Sequence, residues 1–149
     1  MQPYALNLET LAQWCVRQKL NYLVQEQAAM VVIPRGPSEA PVRAIYRGDR
    51  SMLSWIIGLP LIVPEDRRAE LARAVTLLNS GSFMGAWVLN QQNGELYFRI
   101  TVPTHQTTWT DDAVMYVVRV LMGTADAAAP VLAAVVAGQR GWETVLQVG

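Results

Sequence analysis

Asn93-Gly94 constrains this chain more than any other pair of residues, because Gln91-Gln92-Asn93-Gly94 joins two apolar runs, Phe83–Leu89 and Glu95–Val102. Asn-Gly supplies the positive φ angles of a tight reversal whose twist matches that of the flanking strands. In the second run Leu96, Phe98, Ile100 and Val102 alternate with Tyr97, Arg99 and Thr101. A period of two marks a strand with one dry and one wet face, and the first set is predicted to face the core. A chain containing this hairpin builds an antiparallel sheet and must find cover for one side of it.

Three more strands precede it. Met30–Ile33 is a β-branched run closed by Pro34, and Pro34–Pro41, with three prolines and a glycine, is the clearest loop. Val42–Arg47 alternates Val42, Ala44 and Tyr46 against Arg43, Ile45 and Arg47, and Gly48-Asp49 turns the chain into Met52–Val63. That third run is apolar at nearly every position, which predicts a central strand covered on both faces. Pro60 predicts a bend or an edge position near its end.

Three regions read as helical. Leu8, Leu11, Ala12, Cys15 and Lys19 form one stripe from about Leu8 to Leu20, with Asn7 as its N-cap. Pro64-Glu65-Asp66 opens a second helix whose core stripe is Leu71, Val75 and Leu78, and Asn79-Ser80-Gly81 ends it. Thr110 or Asp111 caps the third, with the stripe Val114, Val117, Val118, Leu121, Met122 and Ala125. Ala113, Met115 and Val120 widen that stripe until only Asp112, Tyr116 and Arg119 interrupt it. So wide an apolar surface calls for burial on more than one side. The second cover is either a dimer contact through Met115, Tyr116 and Val120 or the C-terminal segment crossing a core helix. Gly123 to Pro130 is predicted to break the helix, Val131–Ala137 to restart it, and Gln139–Gly149 to form a tail anchored by Trp142. The order α-β-β-β-α-β-β-α-α, an antiparallel sheet with helices, is that of a single α+β domain over residues 1–149.

The 149 residues are 52% hydrophobic and 16% charged, which excludes a disordered chain. Lys plus Arg and Asp plus Glu are 12 each, so no basic excess provides a general coat for nucleic acid or an anionic membrane. One cysteine, Cys15, excludes an internal disulfide, and one histidine, His105, excludes a multi-histidine metal site. The longest apolar run, Met52–Val63, falls short of the roughly 20 residues of a membrane helix. Without a charged n-region ahead of an apolar run, the chain reads as soluble and cytoplasmic.

No catalytic set emerges. His105 precedes Asp111 by six residues and has the makings of a carboxylate-oriented base, yet no nucleophile stands beside it in a recognisable setting. Glu65 and Asp66 are explained by helix-start chemistry, Cys15 by the middle of an apolar helix face, and no glycine-rich phosphate loop is present. The expectation is a non-enzymatic protein with no cofactor and no metal.

Two features remain for binding. Five tryptophans accompany only two phenylalanines. About three of the five are expected in the core, while Trp55 and Trp87, together with Tyr97, are the candidate contacts for a protein partner. Arg35, Arg43, Arg47 and Arg50 form the alternative: a basic groove for single-stranded nucleic acid, with Tyr46 or Trp55 as stacking platforms, set against a plain solvated strand face.

Ala72-Arg73-Ala74-Val75-Thr76-Leu77-Leu78-Asn79, then Gly85-Ala86-Trp87-Val88-Leu89, Asn93-Gly94-Glu95-Leu96-Tyr97-Phe98-Arg99, and finally Pro130-Val131-Leu132 form a sequence of segments that resembles the YbjN family, often labelled bacterial sensory transduction regulators. The resemblance runs in order over about Leu8–Gly138 and is specific over Leu71–Gly138. It implies a fold similar to that of type III secretion chaperones, small dimeric proteins that bind other proteins. It further implies a homodimer, a protein client and no transferable catalytic residue. The reading at this point is a chaperone-like adaptor or regulator, with a stress-related role, and the nucleic-acid-linked regulator stands as its rival.

Overall fold

The Asn-Gly hairpin forms as its sequence requires. In the computed structural model, which describes residues 2–148, β5 (Ala86–Leu89) and β6 (Glu95–Pro103) pair antiparallel with Trp87 opposite Phe98. Gly94 holds φ at 77°, and a Cβ there would run into the carbonyl oxygen of Val63. Both the dihedral and the space therefore demand glycine. The Val63 amide also donates to the Gly94 carbonyl at 2.8 Å, tying the hairpin turn to the end of β4 (Met52–Ile62).

Upstream lie β1 (Leu23–Gln25), β2 (Met30–Ile33) and β3 (Val42–Arg47). The six strands form one antiparallel sheet in the order β1-β2-β3-β4-β6-β5. Pairing between β4 and β6 shifts register between Gly58 and Ile62, the irregularity that Pro60 announces, since proline has no amide for the ladder.

The helices are α1 (Leu8–Arg17), α2 (Arg68–Ser80) and α3 (Asp111–Val136). Asn7 caps α1 in a reciprocal box with Thr10, and Thr110 caps α3 by accepting from the Ala113 amide at 3.2 Å. All three helices cover the same face of the sheet: α1 places Trp14 against Trp55 of β4, ring centroids 6.2 Å apart, α3 lies on β4 and β6, and α2 on β5. Leu53, Trp55 and Ile57 of β4 and Leu96, Phe98 and Ile100 of β6 fill the core with Leu121 and Leu132 of α3. The core alternation expected for the hairpin's second strand is the one observed.

Polar staples close the layer. Arg17 donates two hydrogen bonds of 2.9 Å to the Asp111 carboxylate, and Tyr4 donates its hydroxyl to the same group at 2.7 Å. The Arg17 guanidinium lies 5.3 Å from the centre of the Tyr4 ring. Arg17's hydrogen bonds hold the Asp111 carboxyl below its ordinary range. Burial first, and the facing carboxylate second, push the Tyr4 hydroxyl up to about 12. At the sheet's β5 edge Asn79 of α2 clamps Trp87: its amide donates to the Trp87 carbonyl at 3.0 Å, and its oxygen accepts from the Trp87 amide at 2.7 Å. An edge strand with its free backbone groups occupied is protected from pairing with another chain.

Four details differ from the sequence-based expectation. β1 had no signal of its own, being only three residues long. α1 stops at Arg17 rather than Leu20, because Lys19 adopts a left-handed φ of 57°. β4 is central but covered on one face only. The expected break between Gly123 and Pro130 is absent, and α3 runs through both residues as one helix. Proline inside a helix removes a hydrogen bond and crowds the preceding turn. Here the buried Ala125, Ala128, Leu132 and Val135 on either side hold the helix to the core. By length and composition α3 is apolar enough to cross a membrane, but its stripe from Val114 to Val135 packs inward, as a core helix does. The C-terminal residues form a short turn, Trp142–Gln147, with Val145 buried and Trp142 packed at the core's margin.

Candidate functional site

Strand alternation puts strand residues not used by the core on the other side of the sheet, and among the described residues no helix covers that side. Cross-strand register arranges it in rows. Arg43, Ile56 and Arg99 lie side by side on β3, β4 and β6; Ile45, Ser54 and Thr101 form the next row; Arg47 faces Met52 beyond them. Tyr97 stands opposite Gly58. Arg50, in the turn between β3 and β4, extends the series at the hairpin end. The surface is an open trough of about 750 Å³.

Its chemistry is mixed. Ser54 and Thr101 share a hydrogen bond of 2.8 Å at the centre. Ile56 is only 8% exposed although no helix lies over it. Its in-register neighbours are Arg43 and Arg99, whose long aliphatic stems can cover apolar surface while their guanidinium heads stay wet. Arg43 pairs with Glu95 at 2.9 Å. Among the described residues Arg47, Arg50 and Arg99 have no carboxylate partner. Four arginines against Asp49 and Glu95 make this face basic on a chain that is neutral as a whole.

The structure therefore brings together Arg43, Arg47 and Arg50 of the candidate basic set and adds Arg99. Arg99 was absent from that candidate set, although its place on the Tyr97–Thr101 side of the β6 alternation is a legible signal. Arg35 is not among them. It is drawn to α3, where it donates to Asp126 at 2.9 and 3.0 Å and also pairs with Glu39 at 2.7 Å. The stacking platforms are likewise elsewhere: Trp55 is buried, and Tyr46 packs half-buried at the core's margin.

The aromatic contacts require a correction. Trp55 and Trp87, expected on a docking surface, are 1% and 4% exposed, because both share the strand face on which the helices rest. Trp87 packs against Phe98 with ring centroids 5.3 Å apart. Of that trio only Tyr97 is on the open face. Trp14 joins Trp55 and Trp87 in the core, while Trp109 and Trp142 are half-buried.

On the helical side Tyr116 projects from α3 at 63% exposure, with Met115 and Val120 half-buried. Near Val120 a hollow of about 370 Å³ is lined by Phe83, Met84, Gly123 and Ala127. Phe83, expected inside a strand, is fully exposed in the loop before β5.

Neither surface gathers a reactive set. His105 is exposed in the loop after β6, and among the described residues no three His, Cys, Asp or Glu groups converge on a metal position. Cys15 is enclosed, and burial pushes its thiol up to about 11, the opposite of an activated nucleophile. What the trough can supply is fixed positive charge around an apolar strip, a means of holding a ligand.

Comparison with known proteins agrees with this architecture. Residues 7–134 match the sequence profile of the YbjN family, described as "Putative bacterial sensory transduction regulator". Among curated proteins none matches this chain's sequence. The crystal structure of YbjN from E. coli, described as "a putative transcription regulator", superposes with a TM-score of 0.67 at 15% identity, covering 82% of this chain and 87% of that one. The ExsC–ExsE complex contains a chain that matches with a TM-score of 0.64 at 16% identity, covering 85% and 97%. A chain of the HopA1–SchA chaperone–effector complex matches with a TM-score of 0.50 at 16% identity, covering 74% and 83%. At these identities the likeness is one of fold, and it is the α+β, chaperone-like fold.

Proposed function

The chain belongs to the YbjN family, and on that premise we propose that it is a non-enzymatic protein-binding adaptor. It holds a protein client in the cytoplasm as a chaperone-like or regulatory homodimer. The observation that carries the reading is the bare side of the six-stranded sheet: a two-layer domain normally buries its sheet on one side and leaves the other in water, and here that other side is a charged trough with an apolar strip. The chaperone–effector complex among the structural neighbours supports a protein partner. Tyr97 is the aromatic contact on this face, and Tyr116 with Met115 and Val120 forms the dimer contact on the helical side, so that client and second copy occupy different layers.

Capture from the source cytosol on the immobilised chain tests the client, with and without nuclease and at two salt concentrations. A protein retained through nuclease, and lost from a folded Tyr97→Ala variant, is the expected result. Retention that disappears with nuclease overturns the reading in favour of the nucleic-acid rival. Sedimentation equilibrium tests the dimer: a Tyr116→Arg variant should run as a monomer, and a wild-type chain that is itself monomeric at high concentration removes the dimer from the proposal.

A further inference from the structure

We infer that the uncovered sheet face takes an acidic protein segment in extended form, its carboxylates on the arginines and its apolar side chains over Ile45 and Met52. This names the chemistry of the client in the adaptor reading and rests on that reading.

Charge points to the sign of the ligand. The chain is neutral overall, yet this face carries four arginines against Asp49 and Glu95; Glu95 pairs with Arg43, and among the described residues Arg47, Arg50 and Arg99 form no ion pair. Spacing points to its shape. Arg43 and Arg99 flank Ile56 in one row across three strands, about 10 Å apart at the usual strand separation. Arg47 follows Arg43 on the same face four residues along β3, about 13 Å away. Cations spread in this way do not converge on a single phosphate or carboxylate. The interval of about 13 Å along β3 is about twice the roughly 6.6–6.8 Å repeat of same-side residues in an extended segment, with Arg99 to one side of that line.

The apolar strip argues for polypeptide over polynucleotide. Single strands are held by stacking bases on aromatic rings, at about 1–3 kcal/mol per base. This face offers one ring, Tyr97, because Trp55 points into the core. A second copy of the chain is a poor occupant, since a two-fold contact here sets arginine against arginine, and like-charge juxtaposition opposes association.

The full chain is titrated, by fluorescence anisotropy, into three probes: a labelled peptide of repeated Asp-Ser-Leu-Ser units, which sets Asp and Leu on the same side of an extended chain, its twin with Asn for every Asp, and a labelled oligothymidylate. The acidic peptide should bind about tenfold more tightly than its twin and weaken as salt rises, and Arg47→Gln with Arg99→Gln should cost about another tenfold, as two exposed charge pairs would. Arg73→Gln, on the exposed side of α2, should change nothing, and circular dichroism checks that every variant is folded. Equal binding of both peptides, untouched by the arginine changes, overturns the acidic specificity while leaving a peptide-binding adaptor in place. Tighter binding of the oligothymidylate gives the face to nucleic acid and overturns the inference. Binding of no probe overturns the inference as well, and cytosolic capture then decides the adaptor reading separately.

Discussion

Along β4, Leu53, Trp55 and Ile57 alternate with Met52, Ser54 and Ile56 on a single backbone, and the two sets have different fates. The first is sealed under α1 and α3; the second borders an open trough. Composition does not separate them, since an isoleucine sits in each. What separates them is which side the helices landed on. The covered side derives its energy from burial, and the open side keeps its charges because nothing desolvates them. A sheet built in this way divides its two faces: one stabilises by burial, and the other stays in water.

The largest test of that division is Trp55→Ala. Deleting a sealed tryptophan should cost about 3–5 kcal/mol in denaturant unfolding, because the cavity it leaves adds to the lost transfer energy. A loss below 1 kcal/mol would mean that the covered face is not packed as described. Next in size is Asn79→Ala at the border of the covered face. It strands both backbone groups of Trp87 and should cost about 1–3 kcal/mol, with increased self-association as the β5 edge opens. Unchanged stability and solubility would show that water replaces the clamp.

Titration gives a smaller signal with a definite sign. Asp111 ionises more readily in the folded chain, so the Arg17 pairing contributes fully above the ordinary carboxylate range and is lost as pH falls through the lowered value. Asp111→Asn should flatten the acid limb of the stability profile. On the alkaline side Cys15 and Tyr4 are favoured in their neutral forms, with values raised from 9.0 to about 11 and from 10.0 to about 12. Their contributions are complete below the unfolded values and disappear across those intervals. Alkylation of Cys15 should accordingly be slow at pH 8 until denaturant is added, and rapid reaction of the native chain would place the thiol outside the core. The smallest effect belongs to the open face: Thr101→Val should move stability by no more than about 0.5 kcal/mol. A larger loss would reveal that the Ser54–Thr101 hydrogen bond supports the sheet.

Much of this was legible in the chain. The hairpin at Asn93-Gly94, the inward set Leu96, Phe98, Ile100 and Val102, the caps at Asn7 and Thr110 and the buried Cys15 all follow from local periodicity and side-chain chemistry. Local signals failed where tertiary packing overrode them. Gly123 and Pro130 are helix breakers in isolation, but burial of residues on both sides keeps α3 whole. β1 is ordered by pairing with β2 rather than by any pattern of its own. For the candidate site, the sequence placed Arg43, Arg47 and Tyr97 correctly within their strand alternations, yet it sent Trp55 and Trp87 to the surface and Arg35 to the arginine group.

Alternation states which residues of a strand travel together, because successive side chains point to opposite faces whatever surrounds them. The sequence alone thus determined the Asn-Gly hairpin, the starts of α1 and α3, and the partition of β3 and β6 into two sets. Which set would be covered, and which arginines would meet, was left to the packing of α1, α2 and α3. Residues as distant in sequence as Arg43 and Arg99 become neighbours only through the pairing of β3, β4 and β6. Long-range register depends on the whole core at once, and no local window of the chain contains it.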